Sequence, residues 1–364
     1  MRRIFLEVSV IGPGRGECVV LHLGDNKWCI VDSCTSRDSS EAVAIEYLAS
    51  FKTQALQRVE LVVATHWHDD HVRGLASLIQ AAPSANFCCS MALRSNIFAT
   101  LVSAELEGIQ RDTGVKEFAA ILGVSAKPVS PHWAIQDRVL LDDLSGQNHP
   151  FPTRIESLSP SDTTVTAALQ GLSKYLPKAG ETQRRIAPPP GPNDISVVLW
   201  VTAGDLRVLL GADLEHTNRH TDGWIAVLNS HRDPKRAALI KVPHHGSKNA
   251  DHPDVWNQML EKDPIAVVTP FVGGNVRLPE RSDLTRLASR TTRLYCTSSG
   301  SGKEPSRDSL VNKIMKEQLK GRQVLEGKAG HVRLRWRLDG GIASAPTFET
   351  FSGAYKVPAT PSSF

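Results

Sequence analysis

The stretch VELVVATHWHDDHVRGL, residues 59–75, decides how the rest of the chain is read. An apolar run from Val59 to Ala64 stops at Thr65, and His66, His68, Asp69, Asp70 and His71 follow at once. Folding alone does not require this, because buried charges and imidazoles are costly unless paired or bound to a metal. The pattern places ligands at the carboxyl end of a strand. His66 and His68 are two residues apart, so on extended backbone they point the same way. Asp70 and His71 are adjacent and diverge. One short loop can therefore serve two metal ions, with His66 and His68 on one and Asp70 and His71 on the other. Imidazole with carboxylate suits zinc, and also iron or manganese. The competing reading is a polar loop of surface histidines, and the HxHxDH spacing after an apolar strand speaks against it.

The chain is 364 residues long, enough for one large α/β domain or one domain with an extension. With 41% hydrophobic and 22% charged residues, it has the composition of a folded soluble protein rather than a disordered one. A net charge of +4 permits a phosphate-bearing substrate without requiring one. MRRIFLEVSVIGPG reads as a first strand and not a signal peptide, since Glu7 and Ser9 interrupt its apolar run. No run of apolar residues is long enough to span a membrane. The six cysteines (Cys18, Cys29, Cys34, Cys88, Cys89 and Cys296) lack CxxC spacing, which fits small buried hydrophobes in a reduced, cytoplasmic protein.

Strands are expected over 3–11 and 17–31, separated by the glycine-rich turn 12–16 and interrupted at Gly24-Asp25-Asn26. Helices are expected over 41–57, 72–81 and, broken near Asp112-Thr113-Gly114, over 94–122. Short strands follow near 86–89, 127–130, 138–141 and 154–158. Residues 163–192 have the least regular pattern and read as a flexible insertion or lid. The second half alternates strands (193–200, 206–210, 237–242, 265–269, 293–297) with helices (217–229, 252–261, 282–290), which suggests two sheets flanked by helices. Beyond about 300, a helix over 307–319 and a strand with a hairpin at Gly340-Gly341 read as an extension packed on the domain 1–300, disordered from about 355. Arg333, Arg335 and Arg337 share one face of that strand, either a solvated face or a phosphate-contacting stripe, and the solvated face is the preferred reading.

Three further motifs line up with THWHDDH: NDISVVL (193–199), LLGADLE (209–215) and KVPHHGSK (241–248). Together they resemble the metallo-β-lactamase superfamily. Within it they are similar to the branch of the ComEC C-terminal domain, its free-standing relatives and the pneumococcal phosphorylcholine esterase type of domain. The resemblance covers roughly residues 4–300. It implies a four-layered αββα sandwich with the site at one edge. It also implies that Asp213 bridges two divalent metal ions and that Asp32, of IVDS, orients a metal ligand. One of His244 and His245 completes the second position with Asp70, His71 and Asp213. His245 is assigned as ligand and His244 as the functional neighbour, although sequence does not order them. Asn193, Ser247 and Asn275 are expected near substrate. The resemblance departs at the first position, where no histidine supplies a third ligand; His132 and His149 read as loop residues, and Ser159, Asp162 or Asn193 are the alternatives. It departs again after Asn275, where Arg277-Leu278-Pro279 replaces the segment of the ComEC type.

The implied activity is hydrolysis by a metal-activated hydroxide, with Asp70 and His244 in catalytic roles. A phosphodiesterase or nuclease is the first expectation, with nucleic acid or another phosphodiester as substrate. The alternatives are a hydrolase of a small ester, thioester or lactone, or a non-catalytic metal-binding subunit with a protein partner. No membrane partner is expected.

Overall fold

The computed structural model describes residues 4–12, 16–36, 39–51, 53–94, 113–124, 131–143, 150–173, 192–273, 276–298 and 329–359. Strands β1 (Phe5–Gly12), β2 (Cys18–His22), β3 (Trp28–Val31), β4 (Val59–Ala64), β5 (Asn86–Ser90) and β6 (His132–Ala134) run in order across the first sheet. Strands β7 (Arg138–Asp143), β8 (Thr153–Ser157), β9 (Leu199–Ala203), β10 (Leu206–Leu210), β11 (Ala237–Lys241) and β12 (Leu260–Val268) belong to the second. Phe271–Gly273 (β13) and Val276–Leu278 (β14) form a separate hairpin, and β15 (Leu294–Cys296) lies beside β12.

The apolar runs of β4, β10 and β12 are explained by burial on both faces. In β4, Leu61 and Val63 enter the core between the sheets, whereas Val62 and Ala64 face an outer core. In the second sheet, Val208 and Leu210 point inward and Leu209 outward. The outer core of the first sheet is covered by α1 (Val43–Ala49), α3 (Leu75–Ala81) and α4 (Thr113–Val124) through Val43, Leu48, Leu75, Leu78 and Phe118. Between α1 and α3 in sequence lies the single turn α2 (Asp69–Val72). Helix α5 (Asp162–Ser173) precedes β9. On the other side, α6 (Gly223–Ser230) and α7 (Arg281–Arg290) cover the second sheet through Trp224, Val227, Leu284 and Leu287. The result is the four-layered αββα sandwich.

Several local expectations are corrected. The helix expected over 41–57 is only α1, followed by a short 3₁₀ turn, Ala55–Arg58, entered through left-handed Gln54 (φ 51°). The helix over 72–81 is interrupted at Gly74 (φ 80°), where a Cβ would lie 3.2 Å from both Ala42 and Thr35. Residues 252–261 give a wide turn, Val255–Met259, and β12 begins at Leu260. The strand over 193–200 begins only at Leu199, because Pro192–Ile195 is a 3₁₀ turn. Part of the expected lid is helix α5, and 174–191 lie outside the described residues. The strand over 127–130, the helix over 307–319 and most of 94–112 also lie outside them.

The tail is not an appendage. β16 (Gly330–Asp339) pairs antiparallel with the whole of β1, from Phe5↔Arg337 to Gly12↔Gly330. β17 (Ile342–Ala343) and β18 (Thr347–Phe351) extend that sheet, and β19 (Tyr355–Lys356) joins β15 in the other. Residues 355–357 are therefore ordered strand and core, with Val357 buried. The arginine stripe is also corrected in detail. Arg335 pairs with buried Glu7 at 2.6 Å, Arg333 pairs with Glu349 at 2.7 Å, and exposed Arg337 pairs with Asp339 at 3.0 Å.

Candidate metal centre

β3 and β4 are parallel, as are β10 and β11, and their carboxyl ends open onto a common edge of the sandwich. Open α/β sheets place ligands at such strand ends. Asp32 and the loop from Thr65 follow β3 and β4; Asp213 and the His244-His245 turn follow β10 and β11. Donor atoms of His66, His68 and Asp213 converge within 4.8 Å of one another, and so do those of Glu17, His71, Asp213 and His245.

Hydrogen bonds fix which ring nitrogens face the centre. Asp32, in left-handed backbone (φ 61°), accepts from the Thr65 backbone N–H and hydroxyl, both at 2.8 Å, and from His71 Nδ1 at 2.7 Å. The Thr65 hydroxyl proton is thus committed to Asp32, so its oxygen accepts from His66 Nδ1 at 3.0 Å. That leaves His66 Nε2 as an acceptor, 3.1 Å from His68 Nδ1. His71 Nε2 is buried without a hydrogen-bond partner, 3.3 Å from Asp213 Oδ2 and 3.7 Å from Asp70 Oδ2. His245 donates from Nδ1 to the Thr269 carbonyl at 2.9 Å, so its Nε2 faces Asp70 at 3.0 Å and Asp213 at 3.6 Å. Asp213 Oδ1 is also buried without a hydrogen bond. Orphaned lone pairs on buried imidazole and carboxylate, each aimed at the others, fit divalent cations.

Electrostatics separate the histidines. Burial pushes the His66 ring well below the ordinary imidazole value and the His68 ring below it, so both stay neutral. Burial also opposes charge on His71 and His245, but the carboxylates around them, Asp213 first, outweigh it and hold both rings above the ordinary value. Against the same burial, His71 and His245 hold Asp70 and Asp213 below the usual carboxylate range.

Of the double histidine, His245 lies among the converging donors and His244 outside them. His244 Nδ1 lies 3.1 Å from Asn249 Oδ1 and 3.3 Å from Glu215 Oε1, and its Nε2 is 3.3 Å from Asn193 Nδ2. Asn193 also donates to Glu215 at 2.7 Å. Ser247 is half-buried after this turn, its N–H on the His244 carbonyl at 2.9 Å. Asn275 and His149 lie outside the described residues. The substitutes for a third histidine at the first position do not join it. Ser159 spends its hydroxyl on the Ser196 carbonyl and the Val198 N–H (2.6 and 2.9 Å), and Asp162 is exposed at the start of α5. His132 is exposed on β6.

Sequence reasoning missed Glu17, Lys241, Glu215 and Asn249. Glu17 follows a glycine turn and looks like punctuation. Lys241 carried a signal, a charge inside the apolar run AALIKV.

Fold and donor set together define a mixed α/β protein with a candidate dinuclear metal centre. Residues 11–154 match the family model of the Metallo-beta-lactamase superfamily, most of whose members are metal-dependent hydrolases; the match supports that superfamily for this chain. None of the curated proteins compared matches it. Among solved structures, the metallo-beta-lactamase fold protein YhfI from Bacillus subtilis is 12% identical (65% of this chain, 69% of that one, TM-score 0.34). Rm3 metallo-beta-lactamase is also 12% identical (68% and 78%, TM-score 0.35). A metallo-beta-lactamase of Cronobacter sakazakii is 15% identical (58% and 61%, TM-score 0.30). Likenesses this distant decide nothing about the site.

Proposed function

We propose that the chain is a metal-dependent hydrolase of phosphodiesters, a nuclease first, of the ComEC-like kind. The observation that carries this reading is the pair of donor groups sharing Asp213, with His244 standing beside them on its own hydrogen bonds. Divalent cations bound there, zinc first and manganese or iron next, supply an acidified water and Lewis acidity. Asp70, held below the usual carboxylate range by His71 and His245, is assigned to align the nucleophile. Asn193, Glu215 and Asn249 fix the His244 ring beside the donor groups, and its assigned role is to meet the leaving group. Exposed Lys248, three residues after His245, adds positive charge at the rim and favours an anionic substrate. Arg333 and Arg335 do not contribute, since both are paired with carboxylates on the first sheet.

The test is to incubate zinc- or manganese-loaded protein with labelled single-stranded DNA, RNA and bis-p-nitrophenyl phosphate, with His68→Ala and Asp213→Ala as controls. Cleavage lost in both variants supports the reading. Turnover of a thioester or lactone instead, with no phosphodiester cleaved, would sink it. Bound metal without turnover, together with a stably co-purifying protein, would favour a non-catalytic subunit.

A further inference from the structure

Glu17 and Lys241 are almost fully enclosed, at 2% and 1% exposure, and they come from different sheets. Glu17 precedes β2; Lys241 ends β11. Their ion pair is the closest contact Lys241 makes with a carboxylate. The same ammonium donates to the Ala212 carbonyl at 3.0 Å and lies 3.8 Å from Asp213 Oδ1, the orphaned oxygen.

Glu17 converges with the second donor group, yet its carboxylate is turned away from the ion position. Oε1 takes Lys241, and Oε2 accepts from the Thr269 hydroxyl at 2.5 Å. Its approaches to His71 and His245, 3.7 Å each, are both to Nδ1, the side of each ring opposite the nitrogen that faces Asp213. A glutamate recruited as ligand would leave an oxygen free on the Nε2 side. This one has none.

We infer that Glu17 is a positioning residue that draws the Lys241 ammonium off Asp213, leaving both Asp213 oxygens available to the two donor groups. Without the Glu17 charge, a buried ammonium has one carboxylate left within reach among the described residues, Asp213, and moves onto the oxygen an ion needs. Gly16 and the Glu17 backbone hold the device in place: the Glu17 N–H donates to the Asp70 carbonyl at 3.0 Å, and a Cβ on Gly16 (φ +106°) would lie 2.7 Å from that oxygen.

The inference rests on the reading that the centre holds metal, and one experiment separates the two. Metal-free wild type, Glu17→Gln, Glu17→Asp and Glu17→Gln/Lys241→Met are titrated with Co²⁺, following the visible spectrum and the stoichiometry, and melted without metal to show that each is folded. Wild type should take up two ions. Glu17→Gln should bind the ion at His71 and His245 about 10–100-fold more weakly, with an altered spectrum. Glu17→Asp, which keeps the charge, should retain both ions. The double variant should regain most of the lost affinity, because the intruding ammonium is gone, and it stands in for Glu17→Gln should the single variant fail to fold. Wild-type affinity in Glu17→Gln, or a folded double variant still unable to hold the second ion, overturns the inference. A wild type that takes up no ion overturns the metal reading itself.

Discussion

The two ion positions share Asp213 and otherwise differ. The first, at His66 and His68, is backed by one thread of hydrogen bonds running through Thr65 to Asp32. The second, at His71 and His245, is enclosed by Asp32, Glu17, Thr269 and Asp70 and spans both sheets. Orienting partners that remove a ligand's rotational freedom raise affinity. The second position should therefore fill first and empty last, and the first should govern how much activity depends on added metal.

Asp213→Ala tests this contrast most severely, because it touches both positions. It should abolish metal-dependent turnover and leave neither ion bound after dialysis, read by elemental analysis. His71→Ala against His68→Ala sharpens it. The first removes one ion and takes from buried Asp32 its His71 partner, leaving only the Thr65 hydrogen bonds and lowering metal-free stability by about 1–3 kcal/mol in denaturant melts. The second removes the other ion and shifts stability by well under about 1 kcal/mol. Equal effects of the two on stability would break the contrast.

Gly16→Ala should cost about 1 kcal/mol or more and weaken the second position while sparing the first. Acidity gives a smaller graded effect. The carboxylates around His71 and His245 favour the protonated rings in the metal-free protein. Those protons stabilise the fold below the unfolded-state pKa of about 6.5, and the contribution is lost as pH rises through the higher folded values. Ion binding must expel them, so affinity at the second position climbs with pH, whereas the lowered His66 and His68 leave the first nearly flat above about pH 6.5. Titrations with metal across pH 6–9 read both slopes. Glu349→Gln, remote from both positions, should cost less than about 1 kcal/mol and change no metal affinity.

What could be read in advance follows the same division. His66 to His71 are local, one loop after one strand, and their pattern needs no tertiary knowledge. Asp213 and the double histidine were reachable only through resemblance, since an aspartate or histidine at a strand end is ordinary alone. Glu17 and Lys241 escaped because their meaning lies in a contact across 224 positions of sequence. The four layers were legible from alternating strands and helices. Helix lengths were not, because left-handed Gln54 and Gly74 separate helical segments that apolar spacing would run together. Nor was the role of the tail, since strand pairing has no signature in either strand by itself.

The pairing of β1 with β16 bears on how the protein is made. β1 is sealed on one side by a strand more than 300 residues later, and until that strand is made it waits, from Phe5 to Gly12, as an open edge. Contacts of such separation slow folding. Glu17 lies between that same strand and β2. A chain shortened before Gly330 would keep every donor in the centre and still expose an apolar edge to its neighbours. Its failure would show as aggregation, well before any loss of chemistry could be measured.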